Sequence, residues 1–358
     1  MSSSSELPER LGQHASRLSR APQAFATRRV PREVMRCLCA GDLRPRAGDL
    51  VLAEVTKLGH HRRLHLPDGR PRNLFPGDAV IVAYADRYAS SQFEARVPDD
   101  LSPCHLAAGG GIAARVTERH QRIRRGVTAI RPLGLVTAGP DEPPLNVASF
   151  ARPRPATPRA GELPVIAVLG SAMDSGKTTA AAHLIHGLAR LGKRTGYGKV
   201  TGTGAAGDPM LVTDAGAHVV RDFTDVGHAS TYGLSAGAID EVFLSLVGQL
   251  RDEGAEVVVL EIADGLLQPE TRAILASSDF RSLVTGVLLA VRDSMGAVSG
   301  VQILRRTGLP LLGLAGTIET APLEVREAGT TGLPIWRRSD LDDGQVAAKL
   351  LQTADPAA

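Results

Sequence analysis

Two rhythms of apolar residues divide the chain. Before residue 151 the apolar runs are short. GDLVLAEV (48–55) and GDAVIVAY (77–84) are each led by Gly-Asp, with the turn-like PDGRPRN between them. GGGIAARV (109–116) and GLVTAG (134–139) come after them. Short strands punctuated by Gly and Pro predict a small all-β, barrel-like domain whose topology the pattern leaves open. After residue 163 apolar strands alternate with helical stretches. PVIAVLG (164–170) precedes a helix over Lys177–Leu191 that turns Leu184, Ile185 and Leu188 inward. GYGKV (196–200) is a further strand. A helix capped by Ser235 runs to about Arg251 and ends at Gly254. EVVVLEI (256–262) and LVTGVLLAV (283–291) come next, then a helix from about Met295 to Arg306, then LPLLGLAG (309–316). Strands apolar on both faces and separated by helices predict an α/β domain, its sheet mostly parallel with helices on both faces. ARPRPATPRAGEL (151–163), with three prolines, reads as an extended linker. The expected order is a polar tail (1–20), a β-rich domain (21–150), the linker (151–163) and the α/β domain (164–358).

GSAMDSGKTT (170–179) lies where a buried strand turns into a helix. Successive backbone N–H groups in such a turn wrap phosphate oxygens, and the helix N-terminus adds positive potential. Gly170, Ser171, Asp174, Ser175, Gly176, Lys177, Thr178 and Thr179 are the expected nucleotide-binding residues. Lys177 would reach the β- and γ-phosphates, and the Thr178 hydroxyl would bind Mg²⁺. A carboxylate at the end of another strand should help hold the metal. VVVLEIADGLLQP (257–269) offers Glu261 first and Asp264 second. GYGKVTGTGAAGDPM (196–210) forms a second glycine-rich loop, in which Lys199 could hold a substrate carboxylate, a phosphate or the transferred phosphoryl group. VRDFTDVGHASTY (220–232) is dense in polar groups and offers Asp225 as a general base or as a partner of metal-bound water. The catalytic set read from the residues is therefore Lys177, Lys199, Glu261 and Asp225.

Together these stretches resemble the dethiobiotin synthetase and cobyrinic acid a,c-diamide synthase branch of P-loop proteins. That branch places five residues between its loop glycines, as GSAMDSGKT does. GKVTGTG is similar to its Lys-Pro-x-x-Thr-Gly, and EIADGLLQP to its Glu-Gly-Ala-Gly-Gly-Leu-x-x-Pro with Asp264 in place of a glycine. The resemblance spans about residues 164–316. It implies ATP with Mg²⁺ and γ-phosphoryl transfer to a small acidic substrate, by a ligase, synthetase or small-molecule kinase, and a homodimer. Departures are visible: Lys199 is followed by Val200, and Ala315-Gly316-Thr317 stands where the branch often reads adenine with an Asn, so the base is open. The N-terminal β-rich part has no counterpart in dethiobiotin synthetase, which points to a sister group. Two other readings remain. One is a nucleotide-hydrolysing switch or metallochaperone-type NTPase, disfavoured because Gly170-Ser171-Ala172 lacks an early lysine. The other is an RNA-directed P-loop kinase.

Charge adds one asymmetry. Residues 1–163 hold 25 Lys plus Arg against 16 Asp plus Glu, whereas residues 164–358 hold 16 against 22. A basic half could meet nucleic acid, but a solvated arginine-rich surface is the favoured reading, and aromatic content of 3% argues against a stacking platform. No run of eighteen apolar residues exists, so no membrane span is expected. An odd cysteine count of three in a long chain fits a reduced, cytoplasmic protein rather than a disulfide framework. Cys37-x-Cys39, Cys104-His105 and His60, His61, His65 lack paired metal-ligand spacing and read as buried thiols and surface histidines. His183 and His186 read as solvated.

Overall fold

The computed structural model describes residues 16–354. Residues 1–15, most of the expected polar tail, lie outside the described residues. The chain forms two compact units. The first runs to Arg152 and also takes in 203–207 and 224–232; the second holds 153–202, 208–223 and the chain from 233 onward.

In the first unit the strands are β1 (Cys37–Cys39), β2 (Leu50–Lys57), β3 (Arg63–His65), β4 (Pro71–Asn73), β5 (Ala79–Tyr84), β6 (Arg87–Tyr88), β7 (Phe93–Arg96), β8 (Cys104–Ala108), β9 (Ile112–Arg119) and β10 (Thr128–Thr137). β2 pairs antiparallel with β5, and β5 parallel with β9. β9 pairs with β8, β8 with β10, and β10 with β2, all antiparallel. The pairings return to their starting strand, so these five strands saturate one another's edges. Alternate positions of β2 enter different cores. Leu50 and Leu52 join a cluster with Leu18, Val30 and Ile81, while Val51, Ala53 and Val55 join one with Leu64, Leu106 and Ile130. That two-sided burial is why β2 reads as a continuous apolar run rather than an alternating one.

Residues 203–207 and 224–232 belong to the first unit, although by position they read as part of the α/β domain. Gly204 donates to the Ala229 carbonyl at 2.9 Å. A Cβ on Gly110 would lie 1.7 Å from the Gly204 carbonyl oxygen, so only glycine admits this approach. Polar side chains add to this: Arg28 donates to Asp225 at 3.0 Å, and Arg29 and Arg152 each lie 3.9 Å from the same carboxylate.

His61 is not a surface histidine. Its Nε2 lies 3.1 Å from Arg87, a buried guanidinium that also donates to Gln92 at 2.7 Å. Burial, helped by the Arg87 charge, drives the His61 pKa down to about 3. The imidazole therefore stays neutral in the fold but takes a proton in the unfolded chain below about pH 6.5. Stability contributed by its neutrality is complete above that pH and is lost as pH falls from about 6.5 toward about 3. Urea midpoints of His61→Gln are expected to fall less steeply than those of the wild type between about pH 6.5 and 4. Equal slopes would assign the acid sensitivity to other groups.

The remainder of the chain carries β11 (Val165–Gly170), α1 (Lys177–Arg190), β12 (Thr195–Lys199), α2 (Gly207–Asp214), β13 (Val219–Asp222), α3 (Ala236–Asp252), β14 (Val257–Glu261), α4 (Pro269–Ala276), α5 (Ser278–Leu283), β15 (Gly286–Ala290), α6 (Ser294–Arg305), β16 (Leu311–Ala315), α7 (Pro322–Ala328), α8 (Arg338–Leu341) and α9 (Gly344–Ala354). The strand order is β13-β12-β14-β11-β15-β16, with every pairing parallel. Ile166, Val168, Val259 and Leu288 share a core with Ala181, Leu184, Leu188 and Leu350 on one face. Val165, Ala167, Val258 and Leu260 are equally buried, as a sheet covered on both faces requires. β11 sits inside the sheet, so its carboxyl end is flanked by the ends of β14 and β15.

Two elements and one side chain differ from the sequence-based expectation. β13 overlaps the start of a stretch that reads as a polar loop; as an edge strand it needs few apolar residues. LVTGVLLAV splits, because Leu283 ends α5 and only Gly286–Ala290 pairs in the sheet. His183 is half-buried, its Nδ1 2.8 Å from an Asp342 carboxylate oxygen, while His186 is exposed. Among the described residues no helix is long and apolar enough to cross a membrane.

Candidate functional site

The turn between β11 and α1 is shaped by two left-handed residues, Asp174 (φ 61°) and Gly176 (φ 93°). Such hand changes turn successive N–H groups toward one concavity, which suits an anion. Lys177 folds back over this turn. Its Nζ donates to the Ala172 carbonyl at 2.9 Å and to the Asp264 carbonyl at 2.7 Å. Gly170 makes room for it: a Cβ there would lie 2.5 Å from Ser175 Oγ and 2.8 Å from Lys177 Nζ. Burial lowers the Lys177 pKa, although Glu261 and Asp264 oppose the shift. Ser175 is fully buried and its hydroxyl has no hydrogen-bond partner among the described residues. The Ser175 carbonyl accepts from Thr317 N at 3.0 Å, which ties the turn to the residues after β16.

Strand register supplies the next group. Lys199, the last residue of β12, is the register partner of Glu261, the last residue of β14, and Glu261 is also the partner of Val168 on β11. Lys199 Nζ lies 3.4 Å from Glu261 Oε1. Tyr197, two residues earlier and so on the same face, donates its hydroxyl to Glu261 Oε2 at 2.9 Å. Lys199 also pairs with Asp208, near the start of α2. Burial alone would lower Lys199, but Glu261 and Asp208 outweigh it and raise its pKa. The opposite balance holds for Asp208: burial pushes it up, and Lys199 holds it below the usual carboxylate range.

Lys177, Thr178, Lys199 and Glu261 thus gather at the carboxyl edge of one parallel sheet, where open α/β sheets bind ligands. Asp264 is half-buried with φ 63°, and its carbonyl engages Lys177. Asp225 belongs to the first unit, where Arg28 engages its carboxylate, so it is not one of the residues that the second unit gathers. Gly176 and Thr179 line a cavity of about 120 Å³ with Gly316, Glu319, Trp336 and Arg338.

Sequence reasoning misses Asp208 and Tyr197. Asp208 reads as part of a glycine loop, and only its place at the start of α2 is a signal. Trp336 and Arg338 are missed because they lie beyond residue 316, where the resemblance stops. Among the described residues no group of three or more His, Cys, Asp or Glu is placed to hold a metal. Asp208 and Glu261, which both reach Lys199, and the Thr178 hydroxyl at the start of α1 nonetheless offer oxygen donors alone, the kind a hard Mg²⁺ ion accepts alongside water and phosphate.

The chain matches no protein-family model and no curated protein. Solved structures give weak likenesses. The signal recognition particle receptor FtsY of Elizabethkingia anophelis is 19% identical, over 56% of this chain and 68% of that one, with a TM-score of 0.37. A DUF1611 family protein from Anabaena variabilis is 17% identical over 62% of this chain and 66% of that one, at a TM-score of 0.36. The cell division ATPase MinD of Pyrococcus furiosus is 13% identical over 55% of this chain and 99% of that one, at a TM-score of 0.34. Likenesses this weak carry no functional conclusion, which has to come from the side chains at the sheet edge.

Proposed function

We propose that the second unit binds a nucleoside triphosphate with Mg²⁺ at the 170–179 turn and transfers its γ-phosphoryl group to a small acidic acceptor. The observation that carries this reading is a pair of lysines at one sheet edge, Lys177 buried and Lys199 with a side chain 12% exposed. Lys177 is clasped by the Ala172 and Asp264 carbonyls, and Lys199 is paired with Glu261 and Asp208. Lys177 would hold the terminal phosphates, and Lys199 would orient the acceptor or neutralise charge that builds up during transfer. Thr178, Asp208 and Glu261 would hold Mg²⁺, which when bound neutralises phosphate charge. The nucleoside would reach toward the cavity lined by Trp336. An acyl phosphate formed in this way would be open to attack by nitrogen, which makes a ligase or synthetase the favoured class and a small-molecule kinase the other. A homodimer remains part of the proposal.

A nucleotide-hydrolysing switch is the second reading. It is favoured by Asp208, which ties the start of α2 to Lys199 at the sheet edge and so would link nucleotide occupancy to α2.

The two readings separate in a γ-phosphoryl assay with ATP or GTP, Mg²⁺ and a panel of small carboxylates. Transfer is expected to depend on one carboxylate and to fall at least about a hundredfold in Lys199→Ala, the loss of a charge-stabilising contact. Phosphate release with no dependence on acceptor or on Lys199 would favour the switch.

A further inference from the structure

The charge asymmetry of the N-terminal half is not spread over the first unit. Residues 57–72 and 115–131 carry eleven Lys and Arg against two acidic residues, Asp68 and Glu118. That accounts for the whole basic excess of residues 1–163. The structure joins the two segments. His60 N donates to the Gly126 carbonyl at 3.0 Å, Gly59 N to Thr128 Oγ1 at 2.9 Å, and Thr128 Oγ1 to the His61 carbonyl at 2.6 Å.

Each segment is pinned by apolar side chains that leave its arginines outside. Leu64 and Leu74 are buried and anchor the β3–β4 hairpin. Around them Arg62, Arg63 and Arg70 are exposed and Arg72 is half-buried. In the turn between β9 and β10, Ile123 is buried, while Arg119, Arg122, Arg124 and Arg125 are exposed. Arg115 lies 3.8 Å from Asp100, and Arg131 lies 3.0 Å from Glu54. The other eight arginines have no carboxylate partner among the described residues. Mutual repulsion of so many unneutralised guanidiniums costs stability, and a polyanion would relieve it.

We propose that this face of the first unit binds the phosphodiester backbone of a nucleic acid. The residue type favours it: ten of the eleven cations are arginine, whose planar fork takes phosphate oxygens two at a time and stacks on bases. Phe75, 63% exposed, directly succeeds the hairpin and gives one ring for an unpaired base. An anionic membrane is the poorer fit, because an interfacial surface needs an apolar face and Phe75 stands alone here.

The test is fluorescence anisotropy on the full chain, using labelled poly(U), poly(dT), a DNA duplex and phosphatidylserine vesicles as separate probes. Binding to poly(U) or poly(dT) is expected at about 50 mM salt and should weaken steeply by about 200 mM. The triple variant Arg122→Ala/Arg124→Ala/Arg125→Ala should bind at least about tenfold more weakly, with the log–log salt slope reduced by about 2. Its melting temperature should be unchanged, since the replaced side chains are exposed. Phe75→Ala should weaken single strands and spare the duplex. Arg44→Ala, a control whose arginine pairs with Asp99, should bind as the wild type does. Lys177→Ala should also bind nucleic acid normally, so nucleic-acid binding and nucleotide binding fail separately. The proposal is overturned if no nucleic acid binds at low salt, if the triple variant binds as tightly as the wild type, or if only vesicles bind.

Discussion

Lys177→Ala is expected to abolish stabilisation by nucleotide while leaving the fold in place. A ligand at about a hundred times its Kd stabilises by about 2.7 kcal/mol. For a unit of roughly 200 residues that is a Tm rise of about 5–10 °C. The wild type should show that rise with ATP or GTP and Mg²⁺, and the variant should show none. Without ligand the variant should melt near the wild type, because two opposing effects accompany the change. Two carbonyls, those of Ala172 and Asp264, lose a donor, but a buried cation is also removed, and its burial is what lowers the Lys177 pKa. Trp336 gives an independent readout, being the sole tryptophan of the chain and a wall of the cavity beside Gly176 and Thr179. Its emission should change on nucleotide addition in the wild type and stay constant in Lys177→Ala. A wild type with neither a Tm shift nor an emission change would sink the nucleotide reading.

Glu261→Ala should be the most destabilising single change at the site, by about 3–5 kcal/mol, because it leaves a largely enclosed cation without one of its partners. Lys199 would keep only Asp208, and the fully buried Tyr197 hydroxyl would lose its acceptor. Glu261→Gln keeps an acceptor for Tyr197 and should cost less. Lys199→Met combined with Glu261→Gln and Asp208→Asn should recover most of the loss, since neither carboxylate of the pair is then left charged without its cation. Urea midpoints at neutral pH measure all three. A Glu261→Ala cost below about 1 kcal/mol would mean that the pair behaves as an exposed one. The pH dependence has a defined sign at each end. Lys199 is raised in the fold, so its contribution is complete below the unfolded lysine value and is lost as pH rises through the folded one. Asp208 is lowered, so its contribution is complete above the unfolded carboxylate value and is lost as pH falls through the folded one.

The parallel sheet is legible in the residues because burial on both faces leaves strands such as VVVLE and VLLA almost purely apolar. The 170–179 turn is legible because its job constrains the backbone directly: Gly170 must clear the Lys177 side chain, and Gly176 must take φ 93°. Lys199 and Glu261 can each be placed at a strand end from the residues alone. Their partnership cannot, since it depends on β12 lying beside β14 in matched register. Asp208 and Tyr197 are invisible for the same reason, as is the lining of the cavity by Trp336 and Arg338.

Segment assignment is the other gap. Residues 224–232 read as part of the α/β domain by position, yet Asp225 answers to Arg28, nearly two hundred residues away, and sits with the first unit. The basic excess is countable from the residues, but its collection onto one face is not, because that needs the backbone hydrogen bonds between residues 59–61 and 126–128. Local features are written in the chain: apolar periodicity, the glycines a tight turn demands, and which residues carry charge. Which charges meet is a property of the folded whole, because strand order and register are settled by burial summed over the entire sheet and leave no mark at any single position.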